Sequence, residues 1–152
     1  MINSWISPGK KINYKRIYRA TEDGDQTSDF HRLCDNKSNI LIIIKSKGGF
    51  IFGGFISAKL DKNKMFIVDP NAFVFSLNHK KYFKTKDERA FKMTKNYGPL
   101  FGYLRYSINI QNNILSNQEH KNNPNTSYGD NIYLAENEYF SIDELEAFLI
   151  IY

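Results

Sequence analysis

The chain has 152 residues, of which 41% are hydrophobic and 15% aromatic, and its formal net charge is +5 at pH 7. A chain of this length is expected to form one domain, here residues 1–152, with a core of its own. One cysteine excludes an internal disulfide, and the longest apolar runs are too short to span a bilayer. These properties predict a cytoplasmic protein whose positive charge permits anionic partners.

The first part of the chain predicts one short helix between strands. Residues 15–20 alternate imperfectly between polar and apolar side chains, a pattern that a strand fits. Thr27 or Ser28 is suited to cap a short helix that turns Phe30 inward. The β-branched run at residues 40–44 predicts a strand that is buried on both faces.

A glycine pair lies inside the strand that follows. Residues 47–49 predict a hairpin turn, and residues 50–57 return as the partner strand. Gly53 and Gly54 fall within this strand, where glycine costs stability and often marks a bulge or a close backbone approach. Two interpretations stay open: the pair shapes the core, or it belongs to a binding surface.

Short strands separated by turns continue through the middle of the chain. They are predicted at residues 65–68, 72–77, 82–83 and 103–110. Asp69 is expected to hold the corner between the first two, and a structured turn at 97–102 leads into the last. Residues 86–95 fit a helix or a loop, and the Asn- and Lys-rich residues 112–125 predict a mobile loop.

The last segment, SIDELEAFLII at residues 141–151, fits two structures. Ser141 and Glu144 have the spacing of a helix capping box, whereas a strand fits the apolar spacing less neatly. Many short strands with turns between them predict an α+β, mainly β fold, namely a sandwich of two antiparallel sheets flanked by a few short helices.

Five segments, in order, resemble the TLDc domain of the oxidation-resistance protein family. They are IYRATEDG (17–24), SDFHRLCDNKSNILIIIKSKGGFIFGGFIS (28–57), DPNAFVFSL (69–77), YGPLFG (97–102) and YFSIDELEAFLI (139–150). The resemblance covers about residues 17–150 and implies the same two-sheet sandwich. It also implies that the closing segment is a strand.

Two segments depart from the family pattern. YLRYS, residues 103–107, stands where the family has G-G-H-D, and LAEN, residues 134–137, stands where it has L-A-G-S. We therefore expect a divergent member. The Asn- and Lys-rich composition points to an A+T-rich genome, such as a protozoan one.

A histidine, the single cysteine and an aspartate fall on one face of the predicted helix. His31, Cys34 and Asp35 are spaced three and four residues apart. A thiol in hydrogen-bond reach of an imidazole can act as a nucleophile. The structural alternative, which we favour, is that Cys34 is a small buried hydrophobe and that Asp35 makes local turn hydrogen bonds.

Two carboxylates share a strand face near the end of the chain. Glu144 and Glu146 are two residues apart and match the glutamates of the family's E-I-E segment. Neighbouring carboxylates can shift each other's pKa, so that one acts as an acid or a base. The alternative, which we favour, is a salt bridge to Arg19.

A basic segment offers a different kind of site. It comprises Lys80, Lys81, Lys84, Lys86, Lys92 and Lys95. Interleaved aromatic residues would let it bind phosphoinositides or, as a weaker alternative, nucleic acid. The three histidines, His31, His79 and His120, lie in unlike contexts, so the sequence predicts no metal site and no cofactor.

The resemblance implies a function without an established catalytic reaction. The TLDc family is linked to protection against oxidative stress, and its domains bind the vacuolar proton-pumping ATPase. We therefore expect a non-enzymatic protein-interaction domain, cytoplasmic or peripheral on endosomal or vacuolar membranes, with subunits of that pump as partner. The expected contact residues are Gly53, Gly54, Tyr97, Gly98, Gly102, Glu144 and Glu146.

Two alternatives remain open. The first is a hydrolytic or redox enzyme that uses His31, Cys34 or Glu146. The second is anion binding through the basic segment at residues 80–95.

Overall fold

The computed structural model describes residues 1–135 and 137–152. Within them, the helices are α1 (Ile2–Ile6), α2 (Ala20–Asp23) and α3 (Thr27–Cys34). The strands are β1 (Asn13–Arg19), β2 (Ile40–Ser46), β3 (Ile51–Ile56), β4 (Phe66–Val68), β5 (Phe73–Ser76), β6 (Lys81–Lys84), β7 (Arg89–Lys92), β8 (Leu100–Tyr103), β9 (Arg105–Asn109), β10 (His120–Lys121), β11 (Tyr139–Phe140) and β12 (Ile142–Ile151). None of the described helices has the length and apolarity that crossing a bilayer requires.

The strands form two antiparallel sheets. The first sheet has the order β1-β12-β2-β3-β5-β6, and the second has the order β11-β10-β9-β8-β7-β4. Their facing sides share one apolar core. The prediction of a mainly β sandwich with two antiparallel sheets and a few short helices is confirmed.

The first sheet is buried on both faces where β2 crosses it. Ile42 belongs to the core between the sheets. The adjacent Leu41 belongs to a second apolar cluster on the other face, which we call the outer face of the first sheet. Helix α1 covers this outer face, and the Trp5 ring lies 6.0 Å from the Phe75 ring. Burial on both sides explains why the sequence of β2 is apolar without alternation.

The closing segment is a strand. β12 pairs with β1 on one side and with β2 on the other. These two long-range pairings determine the structure of the segment. Glu144, which would complete a helix capping box, instead binds Arg19 and Thr21 through its carboxylate. The resemblance to the TLDc domain predicted this outcome correctly.

Three local predictions were wrong. The segment at 86–95, expected as helix or loop, contains β7, which pairs with β4 and β8. Long-range pairing of this kind leaves no signal in a short local pattern. The strand expected at 103–110 is present as β9, but the turn expected at 97–102 contains most of a further strand, β8, and the chain reverses between the two at Leu104 with φ +64. The N-cap of α3 is Gln26 rather than Thr27 or Ser28, and its N–H donates to the Asp29 carboxylate at 3.2 Å.

Candidate functional site

His31 joins helix α3 to the turn that precedes β8. Its Nδ1 lies 2.8 Å from Asp35 Oδ1, and its Nε2 lies 2.7 Å from the Tyr97 carbonyl oxygen. Both neighbours are acceptors, so the ring satisfies both only when each nitrogen carries a proton. Burial lowers the pKa of His31, but the hydrogen bonds to Asp35 and Tyr97 raise it more, and the pKa lies above its ordinary value. The imidazolium therefore acts as a structural clamp.

Cys34 lies apart from this clamp. Its side chain is fully buried in the core between the sheets. Burial, with a smaller contribution from the Asp35 charge, raises the pKa of the thiol far above its usual range. Within the described residues no hydrogen bond links the Cys34 sulfur to His31. The trio of His31, Cys34 and Asp35 therefore does not form an activated nucleophile. Cys34 is a small buried hydrophobe, as we favoured, whereas the Asp35 carboxylate contacts the His31 ring rather than the turn that follows it.

The two carboxylates of β12 are paired with arginines of β1. Arg19 Nε lies 2.9 Å from Glu144 Oε2 and 3.5 Å from Glu146 Oε1. Arg16 Nη1 lies 3.4 Å from Glu146 Oε1, and Thr21 Oγ1 donates to Glu144 Oε2 at 2.5 Å. The predicted salt bridge between Glu144 and Arg19 is present, and Glu146 shares it.

The electrostatics of this cluster favour the ionised form of Glu144. Partial burial raises the pKa of Glu144, but hydrogen bonds from Thr21 and Arg19 lower it more, so the net pKa lies below its ordinary value. A carboxylate of this kind carries no proton near neutral pH and cannot serve as a general acid there. The arrangement ties β1, α2 and β12 together.

The glycine pair of β3 lies in the core. A Cβ built on Gly54 would lie 2.8 Å from Phe101 Cε2 and nearer still to two other ring carbons. A Cβ on Gly53 would overlap the backbone carbonyl of Ile42 in the neighbouring strand. The pairing of β2 with β3 runs without a register shift, so close approach rather than a bulge explains both glycines.

The expected contact residues are mostly inaccessible. Gly53, Gly54, Gly98 and Gly102 are buried, and Tyr97 is half-buried with its carbonyl bonded to His31. A buried backbone cannot touch a partner, so these glycines contribute to packing instead of an exposed binding surface. Glu144 and Glu146, which are partly exposed, remain as candidates for contact.

Asp69 holds the corner between β4 and β5, as predicted. Its carboxylate accepts hydrogen bonds from the Ser57 N–H at 2.6 Å, the Ser57 hydroxyl at 2.8 Å and the Asn71 N–H at 3.0 Å. The Ala58 N–H adds a fourth at 3.1 Å. Asp69 is buried, and its oxygen atoms are fully used by the protein's own structure.

The six candidate lysines do not form one patch. Lys80, Lys81, Lys84 and Lys86 lie on or beside β6, at the edge of the first sheet. Lys92 lies on β7 in the second sheet, with its ammonium nitrogen 5.8 Å from the Phe66 ring centroid and 5.9 Å from that of Tyr106. Lys95 lines a small cleft beside His31. The basic segment is continuous in sequence but divided between two sheets.

Two polar residues of the predicted loop at 112–125 are anchored in the interior, and the sequence analysis missed them. His120 Nε2 donates to the Ile114 carbonyl at 2.8 Å, and its Nδ1 accepts the Gln111 N–H at 3.0 Å. Burial lowers the pKa of His120, which suits this neutral ring. Asn122 donates to the Ser107 carbonyl at 2.9 Å and accepts from the Leu134 N–H at 2.8 Å. No sequence signal distinguishes Asn122 from the asparagines around it.

The described part of the chain groups no three His, Cys, Asp or Glu side chains as metal ligands.

Of the two departures from the family pattern, the first forms the reversal at Leu104, whose side chain is 77% exposed. The second includes Glu136, which lies outside the described residues.

The fold and these contacts define a two-sheet sandwich domain whose polar side chains bind mainly to the domain itself. A family model, described as the TLDc domain, matches residues 1–151. The chain therefore belongs to the TLDc domain family, a family associated with oxidative stress. The match includes α1 and β1, which precede or overlap the start of the motifs at residue 17. A comparison with curated proteins finds no match.

Proposed function

We propose that this TLDc domain is a non-enzymatic protein-interaction domain that acts in protection against oxidative stress. One observation carries the proposal: the side chains that could act in catalysis are engaged in structural contacts. His31 clamps α3 to the Tyr97 carbonyl, Cys34 is buried as a thiol, and Glu144 is paired with Arg19. A group that is fully used by its own fold is poorly placed to attack a substrate.

The partner that we propose is the vacuolar proton-pumping ATPase, which the resemblance to the TLDc family implies. Docking on this pump would place the domain on the cytoplasmic side of endosomal or vacuolar membranes. Glu146 supports such a role, because a quarter of its side chain is exposed and its arginine contacts are longer than that of Glu144. A longer, more exposed ion pair is easier for a partner to exchange.

The test is recovery of the pump from extracts of the protein's own cells, with and without peroxide treatment. The purified domain is the bait, and bound proteins are identified by mass spectrometry. We expect pump subunits to be recovered with the wild type and equally with Cys34→Ala, because no thiol chemistry is involved. Absence of pump subunits in both conditions would contradict the proposed partner, and their loss with a folded Cys34→Ala would contradict a non-enzymatic role.

A further inference from the structure

The first sheet ends in an open strand. β6 is the last strand of its sheet and pairs with β5 alone, from Phe73↔Lys84 to Ser76↔Lys81, with no register shift. The opposite edge, β1, is different, because it has a bulge between Arg16 and Tyr18 and its arginines are paired with carboxylates. A bulge is a feature that keeps an edge strand from pairing. β6 has the regular geometry that an added strand needs.

The backbone of β6 leaves hydrogen-bonding groups free at this edge. The Thr85 N–H donates to the Ala72 carbonyl at 3.1 Å, which makes Thr85 and Ala72 a hydrogen-bonded pair. Antiparallel pairs alternate, so Phe83 and Lys81 bond to β5, and the N–H and C=O groups of Tyr82 and Lys84 point outward. No backbone group in the described residues bonds to these outward groups.

The charge of this edge selects what can pair with it. Residues 80–86 contain four lysines and no carboxylate. In the described part of the chain, none of these four ammonium groups forms a salt bridge. Lysines on an edge strand oppose pairing with a second copy of the same edge, because like charges would then face each other. They favour an acidic strand, whose carboxylates would lie opposite the ammonium groups.

A cleft lies on each face of β6. One, of about 300 Å³, is bordered by Lys81, Phe83, Ile132 and Tyr133. The other, of about 310 Å³, is bordered by Lys84 and by the rings of Trp5, Phe73 and Tyr82. Successive side chains of an added strand point to opposite faces, so alternate side chains would enter the two clefts.

From these four features we propose that β6 binds an extended acidic segment of a partner protein, which adds to the first sheet as a further strand. The outward backbone groups of Tyr82 and Lys84 supply the main-chain hydrogen bonds. The lysines favour acidic side chains in the added strand, and its apolar or aromatic side chains enter the two clefts. This inference rests on the proposed interaction function and names the partner's chemistry and the surface it contacts.

The probe is a displayed library of extended peptides of about nine residues, the length of a long strand, with Asp or Glu at two positions three residues apart, so that one carboxylate falls on each face as Lys81 and Lys84 do. A matched library carries Lys at those positions. We expect binders from the acidic library only. The enriched peptides should slow hydrogen exchange at the Tyr82 and Lys84 amides, and Lys81→Glu/Lys84→Glu should raise their Kd by about tenfold or more, equivalent to about 1.4 kcal/mol. The control Lys11→Glu/Lys15→Glu changes two exposed lysines, at β1 and just before it, and should leave the Kd unchanged.

Several outcomes would overturn the inference. They are the absence of acidic binders, peptide binding without protection of the Tyr82 and Lys84 amides, and a Kd that rises equally in both double variants. Binding of anionic lipid vesicles through the same lysines, without peptide binding, would assign the edge to a membrane, and a dimer sensitive to Lys81→Glu/Lys84→Glu would assign it to a second copy. Equal recovery of pump subunits by the wild type and Lys81→Glu/Lys84→Glu would overturn this inference and leave the proposed function standing.

Discussion

Gly54 of β3 and Phe101 of β8 meet across the interface between the two sheets. The Phe101 ring fills the space that a side chain at position 54 would need. Phe101 also packs edge-on against Phe91 of the neighbouring strand, with 5.1 Å between ring centroids, so it has little room to move. The glycine therefore sets the separation of the sheets at this point.

The variant Gly54→Ala should lower the free energy of unfolding by about 1–3 kcal/mol, the usual cost of overpacking a core. Urea titration monitored by circular dichroism measures this change. Gly48→Ala is the matched control, because a Cβ there would meet nothing nearer than 3.7 Å. Equal stability of the two variants would mean that the Phe101 ring moves to make room for the added methyl group and that this contact does not constrain the separation of the sheets.

The His31 clamp should make stability depend on pH. Its folded pKa is raised, so the stabilisation is complete below the unfolded pKa of about 6.5 and is lost as pH rises through the folded value. His31→Gln should therefore cost about 1.5 kcal/mol more at acidic than at alkaline pH, the worth of a hydrogen bond to a charged group. The measurement is the unfolding free energy against pH.

His79→Gln is the matched control for this experiment, because it makes the same change at an exposed position. A cost of His31→Gln that stays constant across the pH range would contradict the assignment of an imidazolium.

The two carboxylates of β12 should differ in their contribution to stability. Glu144 makes the shorter contact with Arg19, 2.9 Å against 3.5 Å for Glu146, and accepts a hydrogen bond from Thr21 as well. Glu144→Gln should cost about 1–2 kcal/mol near neutral pH, and Glu146→Gln less. The lowered pKa of Glu144 means that its stabilisation is present above the unfolded pKa and is lost as pH falls through the folded value. Equal costs, or a cost of Glu144→Gln that persists in acid, would argue against this ion pair.

Cys34 should react as a buried thiol. With its pKa raised and its side chain fully buried, native protein should be alkylated by iodoacetamide only through unfolding, and the rate should rise in step with denaturant. Mass spectrometry of time points gives the rate. Rapid alkylation without denaturant would restore a redox or nucleophilic role for this residue.

Sequence reasoning succeeded where local pattern and fold agree, and failed where distant pairing decides. β2 and β3 follow from an apolar run and a glycine turn. β7 lies in a charged, unpatterned segment and is a strand only because β4 and β8 flank it. At the reversal itself the residue with positive φ is Leu104, a residue type that does not predict a turn, and the glycine of this hairpin, Gly102, lies two residues earlier.

The candidate site shows the same limit. The spacing of His31 and Asp35 on a helix predicted their proximity, but the second acceptor, the Tyr97 carbonyl, lies 66 residues away in sequence. The lysines of residues 80–95 look continuous in sequence, yet β6 and β7 belong to different sheets. Proximity along the chain does not predict a shared surface when successive strands change sheets.

The most direct test of the central claim is the affinity of the purified domain for the purified vacuolar proton-pumping ATPase, measured by interferometry for the wild type, Cys34→Ala and His31→Gln. The account predicts specific binding with the same Kd for all three folded proteins, because neither the Cys34 nor the His31 side chain contacts the partner. No binding by the wild type, or binding that a folded Cys34→Ala or His31→Gln abolishes, would contradict it.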